Sequence, residues 1–286
     1  MSIIFTWKRE DFGYLLKSCD KDEATPYILK YLPKSGKTVE AGCGLGRFVK
    51  YLSGRGYNIE GFEYNEEIVH TIKEIDPSLK VIQGNILNMP YRPNSIDGVI
   101  LLGVVEHFID GCDKPLEEIY RVLKLGGIAI ITVPCFNLIR RIKKYFYINE
   151  INYFLNPIRI AKRSNIIRKL LKKNLRTEKF SYNRNKSNLY IYPVFGDFFE
   201  YRFTKSQFEN ALRNAGFTII ESVPVAHMDG VYHEFGKLFV SFKNWEFFPN
   251  IMGKTFNKLL STIPFCHNHM HLCVVRKANL QKSEKF

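Results

Sequence analysis

A carboxylate followed by three glycines at alternate positions marks the place where this chain can do chemistry: Val39-Glu40-Ala41-Gly42-Cys43-Gly44-Leu45-Gly46-Arg47-Phe48. Glycine reaches φ > 0 and has no Cβ, so backbone can lie directly against a ligand. At the carboxyl end of a strand, such a turn is where a small molecule meets main chain. Glu63 lies 23 positions after Glu40, close to the ~20-residue spacing at which a carboxylate chelates ribose hydroxyls. A nicotinamide dinucleotide would use the same geometry. Two features speak against it. The turn reads GCGLG rather than GxGxxG, and Glu40 precedes it. That carboxylate repels a diphosphate, whereas a sulfonium and an ammonium tolerate it.

A second group of reactive residues is Cys266-His267-Asn268-His269-Met270-His271-Leu272-Cys273. In a strand His267, His269 and His271 would share one face, and a His-x-His pair can chelate zinc. The run leads straight into the apolar LCVVRK, where such side chains pack on neighbours, so no metal is expected. Cys135 follows Pro134 without any accompanying signature and reads as structural. Six scattered cysteines with no CxxC pair point to reduced thiols and a cytoplasmic setting.

The elements that must position these residues alternate. Strands are expected at Thr38 to Ala41, Asn58 to Phe62, Lys80 to Gln83, Ile96 to Leu102 and Ile128 to Val133. Helices are expected at Glu23 to Leu32, Gly46 to Leu52, Asn65 to Ile75 and Asp113 to Leu123. Leu125-Gly126-Gly127 reads as a turn. Near-continuous apolar strands separated by helices predict a parallel sheet covered on both faces. Right-handed crossovers then bring Glu40, Glu63, Asn85 and Gly103 to one edge. After an interruption the pattern resumes with Thr204 as N-cap of a helix Lys205 to Asn214. Strands Phe217 to Val223 and His271 to Arg276 follow. The AHMDGVYHEFGK stretch between them reads as a polar loop, with Gly230 and Gly236 as turns.

Taken in order, VEAGCGLGRF, GFEYN, GNILNMPY, SIDGVILLGVVEHF, LKLGGIAIITVP and FTKSQFENALRNAGFTIIES resemble the motifs of the class I S-adenosylmethionine-dependent methyltransferases, of the type 11/12 kind. The resemblance covers about 35–134 and 200–276. It implies a Rossmann-like, doubly wound α/β fold whose seven-stranded sheet is mainly parallel, with an antiparallel last strand. The implied cofactor is S-adenosyl-L-methionine. Gly42, Gly44 and Gly46 would admit its methionine part, with Glu40 beneath them. Glu63 would take the ribose, Tyr64 flank the adenine, and Asn85 and Ile86 read the adenine edge. Leu102 and Gly103 would offer main chain to the amino-acid end. Asn85 stands where the family more often has Asp; an amide still bonds the adenine amine. His107, in VVEHF, would lie near the transferred methyl as base or acceptor-positioning group. His227, His233 and Glu234 would line the acceptor pocket from the other side, with His233 the second catalytic candidate. No (D/N)PP(Y/F) run follows the fourth strand, which argues against exocyclic-amine methylation of nucleic acid. Aminopropyl transfer would call for acids where Gly103-Val104-Val105 stand.

The charge is unevenly spread. Asn137 to Lys186 holds fifteen Lys and Arg against two acids, a balance of +13 out of the chain's +14. The methyltransferase domain is therefore expected at 1–135 and 200–277, interrupted by a basic helical cap at 136–199 and ending in a tail at 278–286. Leu138, Ile142, Tyr145 and Phe146, and then Ile160, Ile167, Leu170, Leu171 and Leu175, make two amphipathic helices. Three uses compete for the segment: a lid over a small or lipid-linked anionic acceptor, peripheral contact of 137–186 with an anionic membrane, or RNA binding. O-methylation of a small, glycan or lipid-linked acceptor is the expected reaction. RNA methylation, or cofactor binding without catalysis, is the alternative. No apolar run approaches the ~18 residues a membrane span needs, and the N-terminus shows no signal core.

Overall fold

A computed structural model describes residues 7–146, 189–191 and 198–278. The strands are β1 Thr38–Ala41, β2 Ile59–Glu63, β3 Val81–Gln83, β4 Ile96–Leu102, β5 Leu123–Pro134, β6 Leu189–Ile191, β7 Phe198–Tyr201, β8 Phe217–Val225, β9 Val240–Lys243, β10 Glu246–Pro249 and β11 Met270–Lys277. The helices are α1 Phe12–Ser18, α2 Thr25–Tyr31, α3 Arg47–Ser53, α4 Glu66–Ile75, α5 Asp113–Val122, α6 Leu138–Tyr145, α7 Lys205–Asn214, α8 His227–Phe235 and α9 Ile251–Leu260.

Seven strands form one sheet in the order β3-β2-β1-β4-β5-β11-β8. All neighbours from β3 to β5 are parallel, while β11 runs antiparallel to both β5 and β8. The order reverses between β1 and β4, and a ligand crevice opens at that point, outside the strands' carboxyl ends. This is the sheet the sequence leads one to expect.

Period-2 alternation divides the strands between two cores. Val39, Val99, Leu101, Ile131, Cys273 and Val275 face Leu116 and Ile119 of α5 and Phe208 of α7. Ile100, Ile130, Leu272 and Val274 face Ile28 of α2, Phe48 and Leu52 of α3 and Ile72 of α4. Each fully buried aliphatic side chain stabilises the sheet by about 1.5–3 kcal/mol before entropy is counted. Caps set the helix starts locally. Asn65 accepts from Glu67 N, and Thr204 and Gln207 form a reciprocal capping box.

The basic segment leaves and returns at one spot. Phe203 N donates to Pro134 O at 2.9 Å, and Phe136 N donates to Phe203 O at 2.7 Å. Its first expected helix is present as α6, and β6 pairs with β7 as it returns. The second expected helix, Ile160 to Leu175, lies outside the described residues, as does the tail from 279. No described helix is long and apolar enough to cross a membrane.

Two local expectations change. The stretch after β8 is not a polar loop. It forms α8, then a β9–β10 hairpin and α9. Gly230 is not a turn residue: a Cβ there would sit 1.8 Å from His267 O, so the glycine lets α8 lie against the backbone leading into β11. The second change concerns the three histidines. β11 begins only at Met270, so His267 and His269 precede it, and the three do not share a strand face.

Candidate functional site

The glycine turn joins β1 to α3 at the switch point. Gly42 N and Cys43 N both donate to Phe62 O, at 2.7 and 3.2 Å, tying the turn to the end of β2. Gly42, Gly44 and Gly46 have φ of 76°, 52° and 75°. Gly42 is needed twice over, because a Cβ there would also lie 2.5 Å from Val104 Cγ2.

Nine of the ten residues expected to bind cofactor line a single cleft over this turn: Glu40, Gly42, Gly44, Glu63, Tyr64, Asn85, Ile86, Leu102 and Gly103. Gly46 does not. It caps α3 in the left-handed region and faces Leu79 and Ile72. Glu63 is fixed by main chain: Gly44 N donates to its Oε2 and Asn65 N to its Oε1, both at 3.0 Å. One short carboxylate thus joins the turn to the start of α4.

Glu40 lies at the cleft floor, 5% exposed, and accepts from Val49 N at 3.1 Å. Burial pushes its pKa up to about 8, against the pull of the nearby Arg47 guanidinium. Arg47 itself is committed to Asp22 at 2.7 Å and Ser18 at 3.0 Å. Asn85 uses its Oδ1 to accept from Leu87 N at 3.0 Å, which leaves its amide NH2 group for a ligand.

The two histidines singled out in the sequence are separated. His107, in the short 3-10 turn Val105–His107 after β4, lines the cleft. Its neighbour Glu106 is 1% exposed, and burial pushes its pKa well above the ordinary value. His233, on α8, is not among the cleft residues. Its Nδ1 lies 2.6 Å from Asp229 Oδ1. Burial pulls its pKa down, but the Asp229 carboxylate outweighs burial and leaves it raised. His227 pairs with Glu23 at 2.6 Å. Glu234 takes Arg140 at 2.6 Å and Lys143 at 3.0 Å, which joins α8 to α6.

The histidine run is dispersed. His267 Nε2 meets Asn257 Oδ1 at 2.8 Å, and His271 Nε2 meets Ser222 Oγ at 2.8 Å. His269 Nδ1 meets Arg140 Nη2 at 2.7 Å. Among the described residues one trio, Asp229, His233 and His269, brings its ligand atoms within 4.8 Å of one another. A guanidinium can only donate, so His269 Nδ1 accepts and its proton sits on Nε2. Burial first, and Arg140 next, push the His269 pKa well below the ordinary value. Its Nδ1 lone pair is thus engaged by Arg140.

Trp7, which lies in none of the motifs, and Phe108, which closes VVEHF but was given no role there, also line the cleft. Trp7 comes from the start of the chain and packs, tilted by 37°, against Trp245 in the hairpin turn, with ring centroids 5.2 Å apart. Both residues lie far from the glycine turn in sequence, so only folding brings them there.

The chain is similar to known methyltransferases. A family model described as a methyltransferase domain matches residues 39–131. A probable S-adenosylmethionine-dependent methyltransferase of Mycolicibacterium smegmatis is 29% identical over 34% of this chain and 37% of that protein. A tRNA (carboxymethyluridine(34)-5-O)-methyltransferase of Arabidopsis thaliana is 34% identical over 37% of this chain and 26% of its own length. The chain thus spans about a third of the length of these curated relatives. Among solved structures, an SAM-dependent methyltransferase of Methanosarcina mazei aligns over 88% of this chain and 97% of its own, with TM-score 0.52 and 16% identity. A Pyrococcus horikoshii protein aligns over 91% and 90%, with TM-score 0.53 and 16% identity. At these identities the structures speak for the fold alone.

Proposed function

We propose that this chain, whose residues 39–131 match a methyltransferase-domain family, transfers a methyl group from S-adenosyl-L-methionine to a hydroxyl of a small, glycan or lipid-linked acceptor. The observation that carries the cofactor reading is the pair Glu40 and Glu63 facing one glycine-floored cleft. Glu63, and Glu40 once a cation draws off its proton, suit a ligand bearing a sulfonium, an ammonium and ribose hydroxyls, while the nearby Arg47, already held by Asp22, offers a diphosphate no counter-charge.

In this reading the unhindered turn at Gly42 and Gly44 accepts the methionine part. Glu40 balances its positive charge. Glu63 keeps lone pairs free for the ribose beyond the two N–H groups it holds. Tyr64, half exposed, covers the adenine, and the Asn85 amide reads its edge. When bound, the cofactor supplies an electrophilic methyl carbon. The protein holds an acceptor oxygen in line with that carbon, which is where most of the rate gain arises. S-adenosyl-L-methionine held here would supply the methyl group and keep the electron pair of its C–S bond. His107, at the cleft wall, takes the proton leaving the hydroxyl.

A specific observation favours a second reading. The basic stretch Asn137 to Lys186 and the tRNA-modifying relative both suit an RNA acceptor. Calorimetry with S-adenosylmethionine and S-adenosylhomocysteine tests the cofactor, and failure to bind either removes the proposal. Labelled-methyl transfer offered in parallel to total RNA and to lipid and glycan extracts tests the acceptor. Label in RNA alone removes the hydroxyl-lipid reading. Binding with no transfer to any acceptor leaves a cofactor-binding protein. His107→Gln is expected to lower kcat by about 10²–10⁴ while leaving cofactor affinity intact.

A further inference from the structure

Seven large apolar side chains stand exposed within residues 238–263: Leu238, Phe242, Phe248, Ile251, Met252, Leu259 and Ile263. The hairpin, α9 and the residues flanking them carry this apolar surface, and α9 is packed on its inner side. A Cβ on Gly253 would lie 2.3 Å from Phe239 O, and Phe256 packs on Phe235 and Phe239 with centroids 4.7 and 5.5 Å apart. Its outer side carries Ile251 at 84% exposure, Met252 at 63% and Leu259 at 62%, on one stripe with Thr255. Asn250 Nδ2 donates to Leu238 O at 2.8 Å, which sets Leu238, itself 75% exposed, beside the start of that stripe.

Lysines border the stripe. Lys254 and Lys258 run along one edge of it at i, i+4 spacing, and Lys237 and Lys243 flank the hairpin. None of the four forms an ion pair with a described residue. The lone acid of the segment, Glu246, is held by Lys21 at 2.8 Å. The face is therefore apolar at its centre and cationic at its rim.

We propose that this face docks on the surface of an anionic lipid bilayer. Aliphatic tips would enter the acyl boundary while the lysines meet lipid phosphates. Charge decides between occupants. A second copy would set lysine rims against each other, and a nucleic acid would place phosphates against Ile251, Met252 and Leu259. The face also leads to the cleft, since Trp245 at the hairpin tip packs against Trp7 of the cleft wall. The inference does not depend on methyl transfer, because binding is read without cofactor.

Co-sedimentation of the full chain with vesicles of neutral phosphatidylcholine, or of the same lipid with about 30 mol% phosphatidylglycerol, tests it. The wild type is expected to bind the anionic vesicles at least about tenfold more tightly, and less so in high salt. A triple variant, Ile251→Ser with Met252→Ser and Leu259→Ser, is expected to lose at least about tenfold in vesicle affinity. Lys254→Glu with Lys258→Glu is expected to abolish the lipid preference. All of these positions are exposed, so melting temperatures should match the wild type and serve as the folding control. Wild type that ignores both vesicles, or a triple variant that binds as wild type does, overturns the proposal. So does a dimer by light scattering that the triple variant converts to monomer while neither form binds vesicles.

Discussion

Glu40 makes cofactor binding a pH-dependent event. Its pKa of about 8 in the free cleft means that about one site in eleven carries the carboxylate at pH 7. A cationic ligand binds the ionised form, so binding expels a proton. The affinity of S-adenosylmethionine should therefore rise by up to about tenfold per pH unit below 8 and level off above it. Near pH 7 the expected release is about 0.9 proton per ligand, read by calorimetry in two buffers of different ionisation enthalpy. The ligand's own amino group titrates nearby, so the difference between wild type and Glu40→Gln is the readout. S-adenosylhomocysteine, which lacks the sulfonium, should show a shallower slope. The free protein carries the complementary sign. The folded pKa is raised above the ordinary 4.5, so this group's stability contribution is full below about 4.5 and is lost as pH rises through 8. Glu40→Gln should then be the more stable protein at pH 8, by on the order of 4 kcal/mol in urea unfolding. A flat affinity profile from pH 6.5 to 8.5, or a Gln variant with the wild-type slope, would refute the reasoning.

Gly230→Ala sets helix propensity against tertiary contact. Propensity favours alanine by about 1 kcal/mol, but a Cβ 1.8 Å from His267 O must push α8 away, and a net loss of about 2 kcal/mol or more is expected by denaturant titration. Gly42→Ala should weaken cofactor binding by at least about tenfold, since it meets both a φ of 76° and Val104. Val104→Ala in that background should restore only part of the affinity, because space returns but the backbone strain stays. Arg140→Ala leaves Glu234 buried with Lys143 alone, and a loss of about 3–5 kcal/mol is expected; Arg140→Met with Glu234→Met should recover most of it. Metal analysis of purified, untagged protein should find no stoichiometric zinc, because Arg140 occupies His269; one zinc per chain would sink that assignment.

Much of the sheet was legible because its signals are local. Ile96–Leu102, Thr38–Ala41 and Lys205–Asn214 stand where apolar period and capping residues put them. The glycine turn and its two carboxylates were legible because steric freedom and charge belong to residue type. The segment after β8 was not. Its helix contains a glycine and two histidines and has weak amphipathic pattern, and it exists because it packs on the backbone around His267. The histidine run misled for a related reason: alternation promises a shared face only inside a strand, and β11 starts three residues after His267.

Residue type and spacing alone determined the switch-point cleft, the order of the residues that line it and the presence of its two carboxyl groups, since each follows from a strand end, a glycine turn and a carboxylate at fixed separation. The tertiary structure decided the rest. It raised the Glu40 pKa by burying it, gave His107 to the cleft and His233 to Asp229, and tied His269 to Arg140. It brought Trp7 and Trp245 together and left an aliphatic, lysine-rimmed face open at α9. These depend on burial and on contacts between residues distant in sequence, and neither quantity exists until the chain is folded.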